Sequence, residues 1–292
     1  MRTLLADAER VLVQGITGAA GRRHAVNMRA YGTPIVAGVT PGRGDTEIDG
    51  IPVFDTVAEA VEATGATATV AFLPPSAAAS GLIEAAEAGL RLAVCATEGV
   101  PVHDALVALD YARRAGMCVF GPNTAGLMVP GQLSLGFLPT NVAFPGPCAV
   151  LSKSGTLSYE VVLELTRVGV GQSAWIVVGG DSVKGSTFAD VLPMVLSDPR
   201  AQALALVGEI GGTDEEDVAE LLAATALPCV ALMAGRTAPQ GVAMGHAGAM
   251  ISESRGSYGS KATALQAARV KIATSPATLA RALAEALEPV PA

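Results

Sequence analysis

Short apolar runs alternate with alanine-rich, partly polar stretches through the first 120 or so positions of the chain. The runs fall at residues 10–14, 34–39, 69–73, 92–96 and 117–120, each of strand length. Nearly continuous apolar runs of this length suit strands that are covered on both faces. Between them lie helix-favouring stretches at residues 57–63, 77–88 and 104–115. Strand and helix in regular alternation predict a parallel, doubly wound sheet. From residue 123 to 146 the rhythm gives way to Gly, Pro and polar residues, as in Gly121-Pro122-Asn123, Val129-Pro130-Gly131 and Phe144-Pro145-Gly146. That stretch is expected to connect two domains, and it is long enough that part of it should pack on one of them. The alternation then restarts, with strands at 148–151, 174–178, 203–207 and 229–234 and helices at 156–168, 188–196 and after Thr213. The fold class expected is α/β: a Rossmann-like domain over residues 1–122, a connecting segment over 123–146, and a flavodoxin-like open parallel sheet over 147–292. The halves share an architecture but no sequence repeat.

Composition narrows the function classes. Half of the 292 residues are hydrophobic, yet 33 glycines and 18 prolines interrupt every apolar run. None reaches the roughly 18 to 20 residues of a membrane-spanning helix. The first residues, Met1-Arg2-Thr3-Leu4-Leu5-Ala6, run straight into acidic positions, unlike a signal peptide, so a cytoplasmic protein without a membrane partner is expected. With 19 basic against 27 acidic residues the net charge is −8, which disfavours nucleic acid as a partner while leaving room for a local cationic site. Aromatic residues make up only 4%, too few for base-stacking platforms. Cys95, Cys118, Cys148 and Cys229 stand singly inside apolar runs, which predicts buried thiols and neither zinc nor disulfides. The three histidines, His24, His103 and His246, are too scattered to suggest a metal site.

Three stretches carry candidate chemistry. Gln14-Gly15-Ile16-Thr17-Gly18-Ala19-Ala20-Gly21 joins a strand to a helix, where glycines admit a phosphate to the unpaired amides of the helix N-terminus. An NAD site of this type has a carboxylate near the tip of the second strand. Here that tip reads Thr40-Pro41-Gly42-Arg43-Gly44, with no acid before Asp45. A cation at Arg43 suits a phosphorylated ribose, whether of NADP or of coenzyme A, and the spacing does not separate the two; a solvated loop arginine is the plainer reading. The second stretch, Lys153-Ser154-Gly155-Thr156-Leu157, is another strand-to-helix junction, and Gly179-Gly180-Asp181 follows the next strand at the corresponding sheet edge. The third, Met244-Gly245-His246-Ala247-Gly248-Ala249-Met250, leaves a histidine with little to bury it and freedom to move. A nucleophilic imidazole needs one available nitrogen and a partner that fixes its tautomer. Glu209, in Val207-Gly208-Glu209-Ile210-Gly211-Gly212, is a candidate for that partner or for a helix cap.

Together with Thr97-Glu98-Gly99, Gly121-Pro122-Asn123, residues 152–159 and residues 234–239, these motifs make the chain similar to the α subunits of succinyl-CoA synthetase and related acyl-CoA synthetases, from Val11 to the C-terminal helix. The resemblance implies that an acyl phosphate forms, that its phosphoryl group passes through a phosphohistidine, and that CoA displaces phosphate. It implies a β subunit that binds ATP or GTP with Mg and contributes to the pocket for a small carboxylic acid. It further implies that Thr17, Gly18, Ala19 and Ala20 line CoA with Arg43, Ala96, Thr97 and Glu98, that Tyr159 sits at the acid, and that His246 takes the phosphate while Glu209 orients it. The amides of Ser154, Gly155 and Thr156 and those near Asp181 would cradle that phosphate, so two helix N-termini are expected there. The chain shows no P-loop lysine motif, consistent with a nucleotide held by the partner. It departs from the family pattern at Thr124-Ala125, where Cys-Pro is common, at Ser182, where proline is usual, and at Arg43, usually lysine. Such changes near the acyl end keep malate, citrate or another acid open beside succinate. An NADP-dependent dehydrogenase would leave His246 without a role. A non-catalytic CoA-binding protein would have no use for His246, Glu209 and residues 154–156 together.

Overall fold

A computed structural model describes residues 7–239, 241–242, 244–251 and 255–288, so Met1–Ala6 of the sequence argument lie outside the described residues. The chain forms two compact units: one runs to Met128 and adds Gln132–Leu138 and Val183–Ser186, and the other holds Val129–Gly131, Pro139–Ser182 and the chain from Thr187.

The first unit contains β1 (Val11–Gln14), α1 (Ala19–Tyr31), β2 (Ile35–Val39), β3 (Thr46–Ile48), β4 (Ile51–Phe54), α2 (Val57–Thr64), β5 (Ala68–Ala71), α3 (Pro75–Glu87), β6 (Leu92–Cys95), α4 (Val102–Arg114) and β7 (Cys118–Phe120). Its strands lie in the order β3-β4-β2-β1-β5-β6-β7, and the β3–β4 pair is the antiparallel one. The remaining six, numbered along the chain, read 3-2-1-4-5-6, the order of a dinucleotide-binding sheet. β1, β5 and β6 are buried at every position, as their unbroken apolar runs require. The β3–β4 hairpin was not foreseen. Its signal is Asp49-Gly50, both at positive φ, which is the pair that a tight two-residue hairpin favours. α3 and α4 start about two residues earlier than the alanine pattern suggests, because prolines open them: Pro75 fits the first helical turn, and Pro101 caps α4. A capping box of Thr56 and Glu59 starts α2.

The segment expected as a connection contains two fully buried strands, β8 (Gly126–Val129) and β9 (Leu133–Gly136). β9 packs on α1. There the Thr33 hydroxyl donates to the Ser134 carbonyl at 2.7 Å and accepts the Ser134 amide at 3.1 Å.

The second unit contains β10 (Pro145–Ser152), α5 (Gly155–Arg167), β11 (Gln172–Val177), α6 (Phe188–Leu196), β12 (Ala203–Glu209), α7 (Asp214–Asp217), α8 (Ala219–Ala223), β13 (Cys229–Ala234), α9 (Tyr258–Ala267), β14 (Lys271–Ala273) and α10 (Pro276–Leu287). Five parallel strands run in the order β14-β13-β12-β10-β11, which along the chain is 2-1-3-4-5 read from the β11 edge, the flavodoxin-like order. The helix expected after Thr213 is two short ones, α7 and α8. Trp175 and Phe188 are fully buried in this unit, and the indole N–H of Trp175 donates to the Ser158 hydroxyl at 2.9 Å. None of the four cysteines is in a disulfide; Cys95 and Cys148 are buried, and Cys118 and Cys229 are half-buried. Burial pushes the Cys148 thiol up to about 12 and raises Cys229 as well. Among the described residues no helix is long and apolar enough to cross a membrane.

Among the parallel strands described for each sheet the chain order reverses at one point, between β1 and β5 in the first and between β10 and β12 in the second. Loops leaving the carboxyl ends of those strands diverge and open a crevice. At the first reversal Gly21 lets α1 press on the preceding turn, because a Cβ there would sit 2.2 Å from the Gly15 carbonyl oxygen. Backbone gives way poorly, so Gly21→Ala is expected to destabilise the protein by about 1–3 kcal/mol. Chemical denaturation of the purified chain checks this; an unchanged midpoint would contradict the packing.

Candidate active site

The reversal in the first sheet holds a cavity of about 510 Å³ lined by Thr17, Gly18, Ala19 and Ala20 on one side and by Thr40, Pro41 and Phe72 on others. Thr17 donates its hydroxyl to Thr40 at 3.2 Å, tying the glycine turn to the tip of β2. An adjoining cavity of about 380 Å³ shares Ala20, Phe72 and Leu73 and adds Ala96, Thr97 and His24. His24 stacks on Phe72, with ring centroids 5.2 Å apart, and burial followed by the neighbouring Arg23 lowers its pKa. The structure thus gathers Thr17–Ala20, Ala96 and Thr97 around one connected depression. Arg43 and Glu98 are exposed and do not line either cavity. The Arg43 backbone is nonetheless fixed: Asp55 accepts the amides of Arg43 and Gly44 at 2.9 and 2.8 Å. The Asp55 carboxylate is thereby occupied in holding the turn. Gln14, the first residue of the motif, is structural: its amide bonds Gly81 and Thr69 in the interior.

The reversal in the second sheet assembles the other candidates. Ser154 caps α5 by accepting the Leu157 amide at 3.2 Å. The amides of Gly155 and Thr156 belong to the first helical turn, which has no intrahelical acceptors and carries the positive end of the helix dipole. Tyr159 lies half-buried one turn along α5. The residues after β11 behave differently from expectation. Gly179-Gly180-Asp181 forms a turn, and helix α6 begins only at Phe188, so one helix N-terminus stands here rather than two.

His246 hangs from the loop that returns beside this turn. Its Nδ1 lies 2.8 Å from Glu209 Oε2, with the imidazole 28% and the carboxylate 9% exposed. Gly248 donates its amide to the Gly180 carbonyl at 3.2 Å, and the ring lies directly against Gly180, where a Cβ would come within 2.6–2.8 Å of three ring atoms. The Glu209 carboxylate therefore faces the imidazole and is not a helix cap.

The family models agree with this division: CoA binding domain matches residues 6–99, and CoA-ligase matches residues 151–271. The chain is 45% identical over 287 residues to a succinate–CoA ligase (ADP-forming) α subunit of Archaeoglobus fulgidus, covering 98% of this chain and 100% of that one. The chain belongs to the succinyl-CoA synthetase α-subunit family. Identity is 43% to the corresponding Aquifex aeolicus subunit, over 99% of this chain and 95% of that one, and 41% to a malate–CoA ligase α subunit of Methylorubrum extorquens, over 98% and 99%. Among solved structures an ATP citrate lyase of Methanothrix soehngenii, determined with citrate and coenzyme A, superposes with a TM-score of 0.84 at 25% identity. That match covers 96% of this chain and spans half of the lyase chain.

Sequence reading named Lys153 in this family member but not the group that it joins. Behind Glu209 lies a buried cluster of Lys153, Glu215 and Lys261, with Asp214 beside it at 3.1 Å from Lys153. Burial depresses the Lys261 ammonium against the attraction of Glu215. For Lys153, burial is the largest single influence, but the attraction of Glu215, Asp214 and Glu209 outweighs it and raises the pKa. No spacing rule links positions 153, 215 and 261. The available signal was Lys261, the one charged residue of the helix at residues 258–267.

The contact between His246 and Gly180 gives a direct test. Gly180→Ala is expected to drive the ring off Glu209, changing the ¹⁵N shifts of both ring nitrogens. Unchanged His246 shifts in that variant would rule out the packing described.

Proposed function

We propose that the chain is the α subunit of an acid–CoA ligase of the succinate–CoA ligase type, with His246 carrying the phosphoryl group and a β subunit binding ATP or GTP. It would act in the cytoplasm as a heteromer. The observation that carries this reading is the bond between His246 Nδ1 and Glu209. A carboxylate accepting a hydrogen bond from Nδ1–H leaves the ring lone pair on Nε2, the state a nucleophile needs. A hydrogen bond to a charged group contributes about 1.5–3 kcal/mol, enough to hold one tautomer over the other.

The chemistry follows from that tautomer. Nε2 attacks the terminal phosphorus of the nucleotide, the bond to the bridging oxygen breaks, and the nucleoside diphosphate leaves. The ring is then positively charged beside the Glu209 carboxylate, which stabilises it without taking the proton. A carboxylate oxygen of the acid next attacks phosphorus, the P–N bond breaks, and the lone pair returns to Nε2. The CoA thiolate adds to the acyl carbonyl and phosphate departs. The phosphoryl group carries close to two negative charges near neutral pH. The α5 N-terminus, through the amides of Ser154, Gly155 and Thr156, would stabilise it by about 0.3–2 kcal/mol. The turn at Asp181 would add backbone donors on the other side, and Tyr159 would contact the acid.

CoA would lie in the depression formed by Thr17, Gly18, Ala19, Ala20, Ala96 and Thr97, with Glu98 beside it and Arg43 facing the ribose 3′-phosphate. Succinate is the acid favoured by the named relatives. Malate is the second reading, favoured by the Methylorubrum relative, and a citrate–CoA ligase α subunit is a further alternative.

Co-purification with a β subunit and incubation with γ-labelled nucleotide should place acid-labile label on His246, absent in His246→Ala. Glu209→Gln is expected to slow labelling on the order of 100-fold, about 2.7 kcal/mol in barrier. A heteromer that binds CoA yet never labels would instead be a non-catalytic CoA-binding protein. Arg43→Ala should raise KM for CoA about tenfold, some 1.4 kcal/mol, with kcat unchanged. Dephospho-CoA should show no such loss; equal losses for the two thiols would remove Arg43 from the 3′-phosphate.

A further inference from the structure

Both peptide groups of Glu209 are held by one buried ion pair. Its amide donates to Glu215 Oε1 at 3.1 Å, and its carbonyl accepts from Lys261 Nζ at 2.8 Å. Glu215 and Lys261 are themselves bonded, and both side chains are fully buried. Lys261 also donates to the Gly211 carbonyl at 2.7 Å, so it pins the turn that leaves β12 at two carbonyls. Lys153, 5% exposed, supports the pair from the end of β10: it donates to Glu215 at 3.2 Å and to the Gly211 carbonyl at 3.3 Å. Gly208 leaves the room required, since a Cβ there would lie 2.5 Å from Glu215 Oε1.

Stability alone does not account for this arrangement. Two ammonium groups and two carboxylates withdrawn from water cost several kcal/mol each, and hydrocarbon of similar volume stabilises a fold as well or better. Hydrocarbon, however, does not hold an amide hydrogen and a carbonyl oxygen of the same residue in fixed directions. The pair spans α7 and α9 and meets the end of β12, so the position of Glu209 depends on three elements, of which α9 is far along the chain.

We propose that Glu215 and Lys261 are positioning residues for the phosphoryl relay: by clamping the main chain of Glu209 they aim its carboxylate at His246 Nδ1. This rests on the reading of His246 as the phosphoryl carrier. Neither residue touches substrate; they act through Glu209, and Lys153 braces them.

The test uses the complete heteromer carrying Lys261→Met, Lys261→Arg or Glu215→Gln, with three readouts: the single-turnover rate of His246 labelling from γ-labelled nucleotide, KM for CoA, and the ¹⁵N shifts of the His246 ring at fixed pH. Lys261→Met is expected to slow labelling on the order of 10- to 100-fold, the usual penalty for losing a group that orients a reactive one. Its ring shifts should move toward a mixture of tautomers, while KM for CoA stays within about twofold because the CoA depression lies in the other unit. Lys261→Arg should recover part of the rate. Wild-type labelling rate and unmoved shifts in folded Lys261→Met would overturn the proposal. Should Lys261→Met fail to fold, Glu215→Gln, of equal shape, decides: slower labelling supports the clamp, and an unchanged rate overturns it. Absence of label on His246 in the wild-type heteromer would sink the relay itself. The ring shifts then still decide the clamp, since unmoved shifts in the variants overturn it independently.

Discussion

The hydrogen bond between His246 Nδ1 and Glu209 is the constraint around which this part of the second unit is arranged, and with Nδ1 as its donor the ring lone pair lies on Nε2. Geometry on every side serves it. Gly180 offers a surface without a side chain for the ring to lie against. The Gly248 amide fastens the loop to the Gly180 carbonyl. The carboxylate itself sits at the last residue of β12, where strand geometry and a buried ion pair fix the main chain. A ring 28% exposed and supported in this way is accessible to a reactant without being free to choose its tautomer.

The two units apply one topological rule to two ligand problems. In each, parallel strands diverge at a reversal of chain order, and a helix N-terminus opens beside the resulting crevice. In the first unit the glycine turn leaves bare backbone and small side chains around a cavity roomy enough for an extended cofactor. In the second, the protein's own His246 and Glu209 meet at the end of β12.

Local signals marked much of the site. The 15–21 turn, the Ser154 cap and the Gly-flanked His246 each lie within a few residues, and their spacing carried their meaning into the fold. Arg43 was legible as a cation at the strand tip, and the structure shows its backbone anchored by Asp55 with its side chain exposed. Less legible were contacts that join remote positions. The strands in the 123–146 segment hid behind glycines and prolines that read as loop chemistry. The four residues at 183–186, deep in the second half of the chain, count with the first unit, and no pattern of polarity announces such a return.

Sequence by itself determined the α/β class, the alternation of the main strands and helices, the family, and the identity of the residues that carry charge, because those properties are fixed by residue type and by periodicities of two and 3.6. Only the tertiary structure decided that Glu209 faces the imidazole instead of capping a helix, that a turn rather than a second helix stands at Asp181, and that Lys153, Glu215 and Lys261 meet behind the site. The physical reason is that a buried charge is tolerable only where partners from separate elements converge on it, and that convergence is a property of packing, which no local stretch of sequence encodes.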